Sequence, residues 1–230
     1  MLLELKGVSK TYGNVEALKD VSFAVDSGEW VSIMGPSGSG KTTLLNIIGC
    51  LDKPTYGIIR LDGDDLSSLD AKQLTEVRRD KIGLIFQQFH LIPHLTAVEN
   101  IMVAQYYHSM PDEKEALASL TRVGLVDRAH HFPSQLSGGE NQRVAIARSL
   151  ATDPSIMLCD EPTGSLDFET GKRILKLLRV LNETRRKTVI IVTHNSPVGA
   201  IADRVVRMRD GNVVQVICNA QPLDPEALEW

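Results

Sequence analysis

Cysteine is scarce. Cys50, Cys159 and Cys218 are the only three in 230 residues, far apart and without a CxxC pairing. That spacing argues against a disulfide framework or a zinc site and suits a reducing compartment. Cys159 lies inside an apolar run, where a thiol serves as a small buried filler. Long apolar runs are missing as well. No stretch approaches the roughly 18 apolar residues that cross a bilayer, so no direct membrane span is expected and work at a membrane would need a partner. Glu4 and Lys6 interrupt the N-terminal MLLELKGVSK, which therefore does not read as a signal peptide. A basic excess is also lacking. With 25 Lys+Arg against 29 Asp+Glu the net charge is -4, so no global positive field advertises nucleic acid or anionic lipid, although a local basic patch stays open. Internal repeats and low-complexity tracts are absent too.

What remains is ordinary globular material, 43% hydrophobic and 23% charged, long enough for one large domain or two small ones. The first third alternates like strands: Leu2–Val8, then Val21–Val25, then a Ser27-Gly28 turn into Trp30–Met34. A Gly/Ser cluster leads into a helix over Thr42–Leu51. Ile58–Leu61 closes at Asp62-Gly63 as a strand and tight turn, and Ile82–Phe86 is a short apolar strand. From about Thr96 to Leu150 the strand signal disappears. Ala116, Leu117, Leu120 and Val123 recur at helical spacing within Glu113–Val123, and Asn141–Leu150 reads similarly, so a mostly helical insertion is expected. Strand Ile156–Cys159, helix Glu169–Leu181, strand Thr188–Val192 and a hairpin through Asp210-Gly211 follow. The run TVIIVT over Thr188–Thr193 suits a buried parallel strand. The tail from Asn219 to Trp230, with prolines and several acids, is expected to be loosely held.

Chemistry concentrates at the ends of these strands. Gly35, Pro36, Ser37, Gly38, Ser39, Gly40, Lys41 and Thr42 match GxxxxGK[ST], with Thr43 next in the helix. Glycines let the backbone curl so that successive N–H groups point at a β-phosphate. Lys41 supplies charge for the β/γ oxygens, Thr42 a hydroxyl for Mg2+, and the helix N-terminus favours the anion. The run IMLCDE ends an apolar strand in two acids. Asp160 would meet Mg2+ directly or through water, and Glu161 would polarise an attacking water; alone, the pair would read as surface acids. Leu136-Ser137-Gly138-Gly139-Glu140 opens a helix and makes a second place to cradle a phosphate. One chain needs one cradle per nucleotide, so a second implies a site shared by two chains.

The set, in order, resembles the ABC transporter ATPase family over nearly the whole chain, from the KGVSKTY segment ending at Tyr12 to the last hairpin. Its members are the phosphate loop, Gln87 after Phe86, LSGGE, IMLCDE, Ser165-Leu166-Asp167, and His194 after Thr193. The resemblance implies an α/β fold: a P-loop NTPase of the ABC type forming one domain over residues 1–230. Within it would stand a RecA-like core, an antiparallel β subdomain near Tyr12 and a helical subdomain at approximately 88–150. It implies ATP and Mg2+ as cofactors and, by residue, further roles. Tyr12 would stack on adenine, a contact through the ring face with little base selectivity. Gln87, with Gln88 as its neighbouring alternative, would report Mg-ATP to the membrane partner. Ser137, Gly138, Gly139 and Glu140 would reach the γ-phosphate across a head-to-tail dimer. Glu161 would be the general base, Asp167 would link the two sites, and His194 would hold the γ-phosphate and water.

Finer resemblance lies in LDKPT (Leu51–Thr55), Asp65–Leu69 and FQQFHLIP (Phe86–Pro93), which look like the lipoprotein-releasing and macrolide-exporting ATPases. That implies a permease with few spans and a large extracytoplasmic domain, on whose cytoplasmic side this chain would sit. Residues from about Phe89 to Tyr107 would touch it, with His90, Leu91, His94 and Leu95 as a partly apolar groove. Two departures stand out: Glu140-Asn141 where the family more often has two glutamines, which would weaken closure or slow turnover, and Ser165 for a commoner alanine or asparagine. Other readings are a soluble ABC-type ATPase in translation or DNA maintenance, disfavoured by a single domain without coiled coil or charged linker. A regulator of a cell-envelope enzyme would share all the same ATPase chemistry. A P-loop kinase or GTPase would leave LSGGE without a job, and no NKxD-like guanine reader is present.

Overall fold

A computed structural model of the chain describes residues 1–107 and 110–229. Two sheets organise it. Strands β1 (Leu3–Tyr12), β2 (Val15–Val25), β4 (Tyr56–Leu61) and β5 (Asp64–Asp65) form an antiparallel sheet in the order β2-β1-β4-β5. The second sheet contains β3 (Trp30–Met34), β6 (Ile82–Phe86), β7 (Ile156–Asp160), β8 (Thr188–Thr193), β9 (Arg204–Arg209) and β10 (Asn212–Cys218), ordered β10-β9-β3-β8-β7-β6. Its pairings are parallel except for the β9–β10 hairpin at the edge.

Alternation along the strands divides the core in two. Ile190 and Val192 of β8 face a cluster with Val31, Ile33, Leu158 and the antiparallel sheet's Leu3, Leu5 and Val8. Helix α1 (Lys41–Ile48) fills that layer through Leu44, Leu45, Ile47 and Ile48. Val189 and Ile191 point the other way, with Met157 and Cys159, toward Leu175 and Leu178 of α6 (Phe168–Arg185). Both faces of a parallel sheet are thus covered, which is why its strands read as unbroken apolar runs. Cys159 is fully buried, and burial pushes its thiol up, as expected of filler. Helices α3 (Ala97–Tyr106), α4 (Glu113–Arg122) and α5 (Gly138–Ser149) pack on one another over the second face. The remaining helices are α2 (Ala71–Lys81) and α7 (Ser196–Ala200).

The C-terminal tail corrects the sequence-based expectation; its last residue, Trp230, lies outside the described residues. Asn219 donates its side-chain amide to the carbonyls of Gly199 and Ala202, and Leu223 N donates to Ala200 O at 2.9 Å. Lys176 of α6 pairs with Asp224. A 3-10 turn over Pro225–Ala227 then delivers Leu228 into the core at 2% exposure. Prolines and acids hid a single apolar anchor. Leu228→Ala is expected to cost roughly 2–3 kcal/mol and to lower the calorimetric unfolding midpoint by roughly 5–10 °C. An unchanged midpoint would return the tail to a loosely held segment.

Candidate functional site

Four neighbouring strands end at one level. Phe86 of β6 lies opposite Asp160 of β7, Asp160 opposite Val192 of β8, and Val192 opposite Ile33 of β3. The residues that follow are Gln87, Glu161, His194 and the loop from Gly35 to Gly40. The register therefore brings together groups separated by more than 150 positions in sequence.

The loop from β3 to α1 is shaped by what glycine permits. A Cβ on Gly35 would lie 2.3 Å from the Met208 carbonyl oxygen, and one on Gly40 (φ 97°) would lie 2.6 Å from that of Ala17. Lys41 is 8% exposed, and its Nζ donates to the carbonyls of Gly35 and Pro36 at 2.8 and 2.9 Å, strapping the loop over the helix start. The α1 N-terminus carries no side-chain cap and no acidic residue in its first turn, so its free N–H groups face outward. Buried Ser39 Oγ has no protein partner. An ammonium, free N–H groups and an orphaned buried hydroxyl fit a polyphosphate. Beside them opens a cleft of about 320 Å³, walled by Val15, Glu16, Ala17 and Lys19 of β2, by Gly38–Thr43, and by the Asp210-Gly211 turn.

Asp160 is half-buried. Burial raises its carboxyl above the usual range and the neighbouring Glu161 charge adds to this, while Lys41 and the Thr42 hydroxyl oppose it. Thr42 and Asp160 make an oxygen-only donor pair of the kind a hard divalent cation takes. Among the described residues no cluster of three or more His, Cys, Asp or Glu side chains could cage a metal, so phosphate and water oxygens would have to complete its shell.

Glu161 sits in the left-handed region (φ 48°), a costly conformation for a residue with a Cβ, held by Glu161 N donating to Val192 O at 2.9 Å. Its Oε1 accepts from His194 N at 3.0 Å and faces His194 Nδ1 at 2.6 Å, and Oε2 accepts from the Thr193 hydroxyl at 3.2 Å. A carboxylate against Nδ1 places the imidazole proton on that nitrogen and leaves Nε2 outward as an acceptor. Gln87 lies against the turn after Glu161: a Cβ on Gly164 would come within 2.9 Å of its Nε2, and the Ser165 hydroxyl donates to its carbonyl.

The other sequence-predicted residues stand apart from this row. Ser137 caps α5 in a reciprocal box with Glu140: Ser137 N donates to Glu140 Oε2 at 2.8 Å, and Glu140 N to Ser137 Oγ at 3.3 Å. That Ser137 N–H, the Ser137 hydroxyl, and Arg128 and Arg143 nearby hold the Glu140 carboxyl below the usual range. Gly139 leaves room for Thr170 of α6 (a Cβ would meet its Cγ2 at 2.3 Å), and Gly138 abuts Leu166. The signature is therefore packed on α6, outside the lining of the phosphate-loop cleft. Asp167 caps α6 by accepting from Thr170 N at 3.0 Å, and its bonds to Thr170 keep its carboxyl acidic. Tyr12, 47% exposed, ends β1 and also stands outside the cleft lining. Sequence reasoning missed the walls, Val15–Ala17, Lys19 and Asp210-Gly211. Only the Asp-Gly turn was legible, and nothing local shows that it closes on β2.

Comparison with known proteins agrees with this arrangement. The ABC transporter family model matches residues 18–164. An uncharacterised ABC transporter ATP-binding protein of Methanocaldococcus jannaschii, MJ0796, is 52% identical over 223 residues, covering 92% of this chain and 95% of that protein. The macrolide export ATP-binding/permease protein MacB of Shigella flexneri is 46% identical over 221 residues, which is 93% of this chain but 34% of MacB. Among solved structures, the MJ0796 cassette as a dimer in a post-hydrolysis state with ADP and Pi superposes with a TM-score of 0.88 at 47% identity, covering 96% of this chain and all of that one. The structure of cbiO1 from Clostridium perfringens, part of the ABC transporter complex cbiONQ, gives a TM-score of 0.85 at 28% identity over 95% of this chain and 88% of its own. With a family model over more than half its length and relatives of this identity, the chain belongs to the ABC transporter family, as one of its ATP-hydrolysing cassettes.

Proposed function

We propose that two copies of this chain close head to tail around Mg-ATP and thereby drive a separate membrane permease of the lipoprotein-releasing or macrolide-exporting type, from its cytoplasmic face. The observation that carries this reading is the distance between the two phosphate cradles. Ser137–Glu140 is packed on α6 and does not line its own chain's phosphate-loop cleft, so a second copy would have to present it. The dimeric MJ0796 structure with ADP and Pi supports pairing of two copies, and MacB, whose name joins ATP binding to macrolide export, supports the export class.

In this reading residues 1–230 act as one unit, with the helical part near 88–150 as its lever. Tyr12 offers its ring face to adenine. The backbone of Gly35–Thr43 and the Lys41 ammonium hold the phosphates. Thr42 and Asp160 would hold Mg2+, with Gln87 at its outer side, and the cation would supply charge neutralisation on the phosphate oxygens. Glu161 takes the proton from the attacking water, while His194 holds the γ-phosphate end and orients that water. Asp167 lies beside the dimer seam and links the two sites. ATP favours closure because its γ-phosphate meets both chains, and ADP lacks that bridge.

In this reading the permease would dock beside the expected groove. Leu91 packs inward on the core, and the loop before α3 is clamped by the buried Asn100 side chain and by Arg148, which donates to the carbonyls of Phe89 and His90. Beside that clamped loop, Phe86, Ala104, Tyr107, Arg78 and Arg79 line an open cleft, which suits a short amphipathic element of the permease. The test is a tagged pull-down from the native host's membranes in mild detergent. A permease with few spans and a large extracytoplasmic domain is expected; a many-span permease without one would sink the subgroup. Ribosomes or nucleic acid in its place would sink the membrane motor.

A further inference from the structure

The Tyr12 ring is not free to swing. Its hydroxyl donates to Asp52 Oδ2, and Asp52 is itself fixed three ways. Oδ1 accepts from Lys10 Nζ at 2.6 Å and from Lys53 N at 2.7 Å, and Asp52 N donates to Asn46 O of α1 at 3.2 Å. The Lys10 ammonium, also bonded to the Lys53 carbonyl, sits 4.7 Å from the Tyr12 ring centroid. The Asp52 bond raises the phenol to about 12. The ring at the end of β1 is therefore linked, through Asp52, to the last turn of the helix that begins at the phosphate loop.

We infer that Asp52 is a positioning residue for nucleotide binding: through the Tyr12 hydroxyl it sets the plane of the ring that meets the base. This rests on the reading of Tyr12 as the adenine platform. The physical consequence is pre-organisation. An exposed aromatic side chain at the end of a strand samples several rotamers, and a ring already held in one of them loses less entropy when a base stacks on it. Lys10 on the ring is part of the same assembly, because one carboxylate bonds both its ammonium and the phenol.

The experiment uses the full chain and compares equilibrium binding of ATP with that of inorganic tripolyphosphate, which has phosphates and no base. Tyr12→Phe keeps the ring and removes the tether; Asp52→Ala removes the anchor. Each is expected to weaken ATP binding about three- to tenfold, the scale of one lost hydrogen bond, with tripolyphosphate affinity unchanged, and the double variant is expected to be no worse than either single one. A merely structural role would weaken both ligands together. If Tyr12→Phe and Asp52→Ala bind ATP like the parent while Tyr12→Ala does not, the ring works untethered and the inference fails. If Tyr12→Ala also binds normally, the adenine platform itself is wrong. Should Asp52→Ala not fold, Tyr12→Phe decides alone.

Discussion

Glu161→Gln is expected to cut ATP turnover roughly 10²–10⁴-fold, the range of a lost general base, while ATP binding persists and the chain accumulates as an ATP-bound dimer. Glutamine has the same shape, and its carbonyl oxygen in the place of Oε1 can still accept from His194 N, while its amide nitrogen would take the place of Oε2 and donate to the Thr193 hydroxyl oxygen. What it cannot do is take a proton. It also withdraws the charge that places the imidazole proton on Nδ1, so the water-facing nitrogen of His194 changes character at the same time. Phosphate release measures the first effect, and light scattering after gel filtration with and without ATP measures the second. Turnover at the parent rate would remove Glu161 from the mechanism. Slow turnover without a dimer would keep the base and remove the trapped closed pair.

Lys41→Ala should weaken ATP binding by roughly 10²–10³-fold and bring hydrolysis to background, the scale seen when one pre-placed charge-stabilising donor is lost. Lys41 is nearly buried, and its ammonium is already spanning two carbonyls of its own loop. Its removal takes away both the charge and the strap. Lys41→Arg should fare little better, because a planar guanidinium does not occupy the place of a compact ammonium between Gly35 O and Pro36 O. Titration with labelled ATP, alongside an unfolding midpoint without nucleotide, separates lost binding from lost fold. ATP affinity within a fewfold of the parent in both variants would overturn the assignment.

The fold was legible where residues act locally. IGLIF and IMLCD read as apolar strands and TVIIVT as a buried parallel one, and the structure makes all three neighbours in the parallel sheet. Helix α2 was missed because AKQLTEVRRDK buries only Leu74, leaving no apolar stripe to count. The signal that was there is its reciprocal cap, Asp70 with Gln73. The tail failed for the opposite reason: a single buried leucine outweighs its polar surroundings. Within the site, the glycine loop and the acid pair were readable because their spacing is sequential. The β2 wall was not, and the Asp210-Gly211 turn, readable as a hairpin, gave no sign that it closes on β2, because the two meet only through the packing of two sheets. Glu140 was expected to be an intruding acid. The structure gives its charge a local use, in the α5 cap and beside Arg128 at 3.5 Å.

The level ending of β6, β7, β8 and β3 means that the spacing of the reacting groups is metered by backbone pairing. Neighbouring strands lie about 4.8 Å apart, so Gln87, Glu161, His194 and the phosphate loop stand like graduations on a scale roughly 14 Å long. Side-chain repacking beneath such a scale can loosen the core without sliding one graduation against the next. Inserting a single residue within a strand moves one of them by about 3.3 Å, farther than a hydrogen bond tolerates. Warming should therefore leave turnover per folded molecule intact until the sheet itself melts, and inactivation should follow the unfolding curve without preceding it.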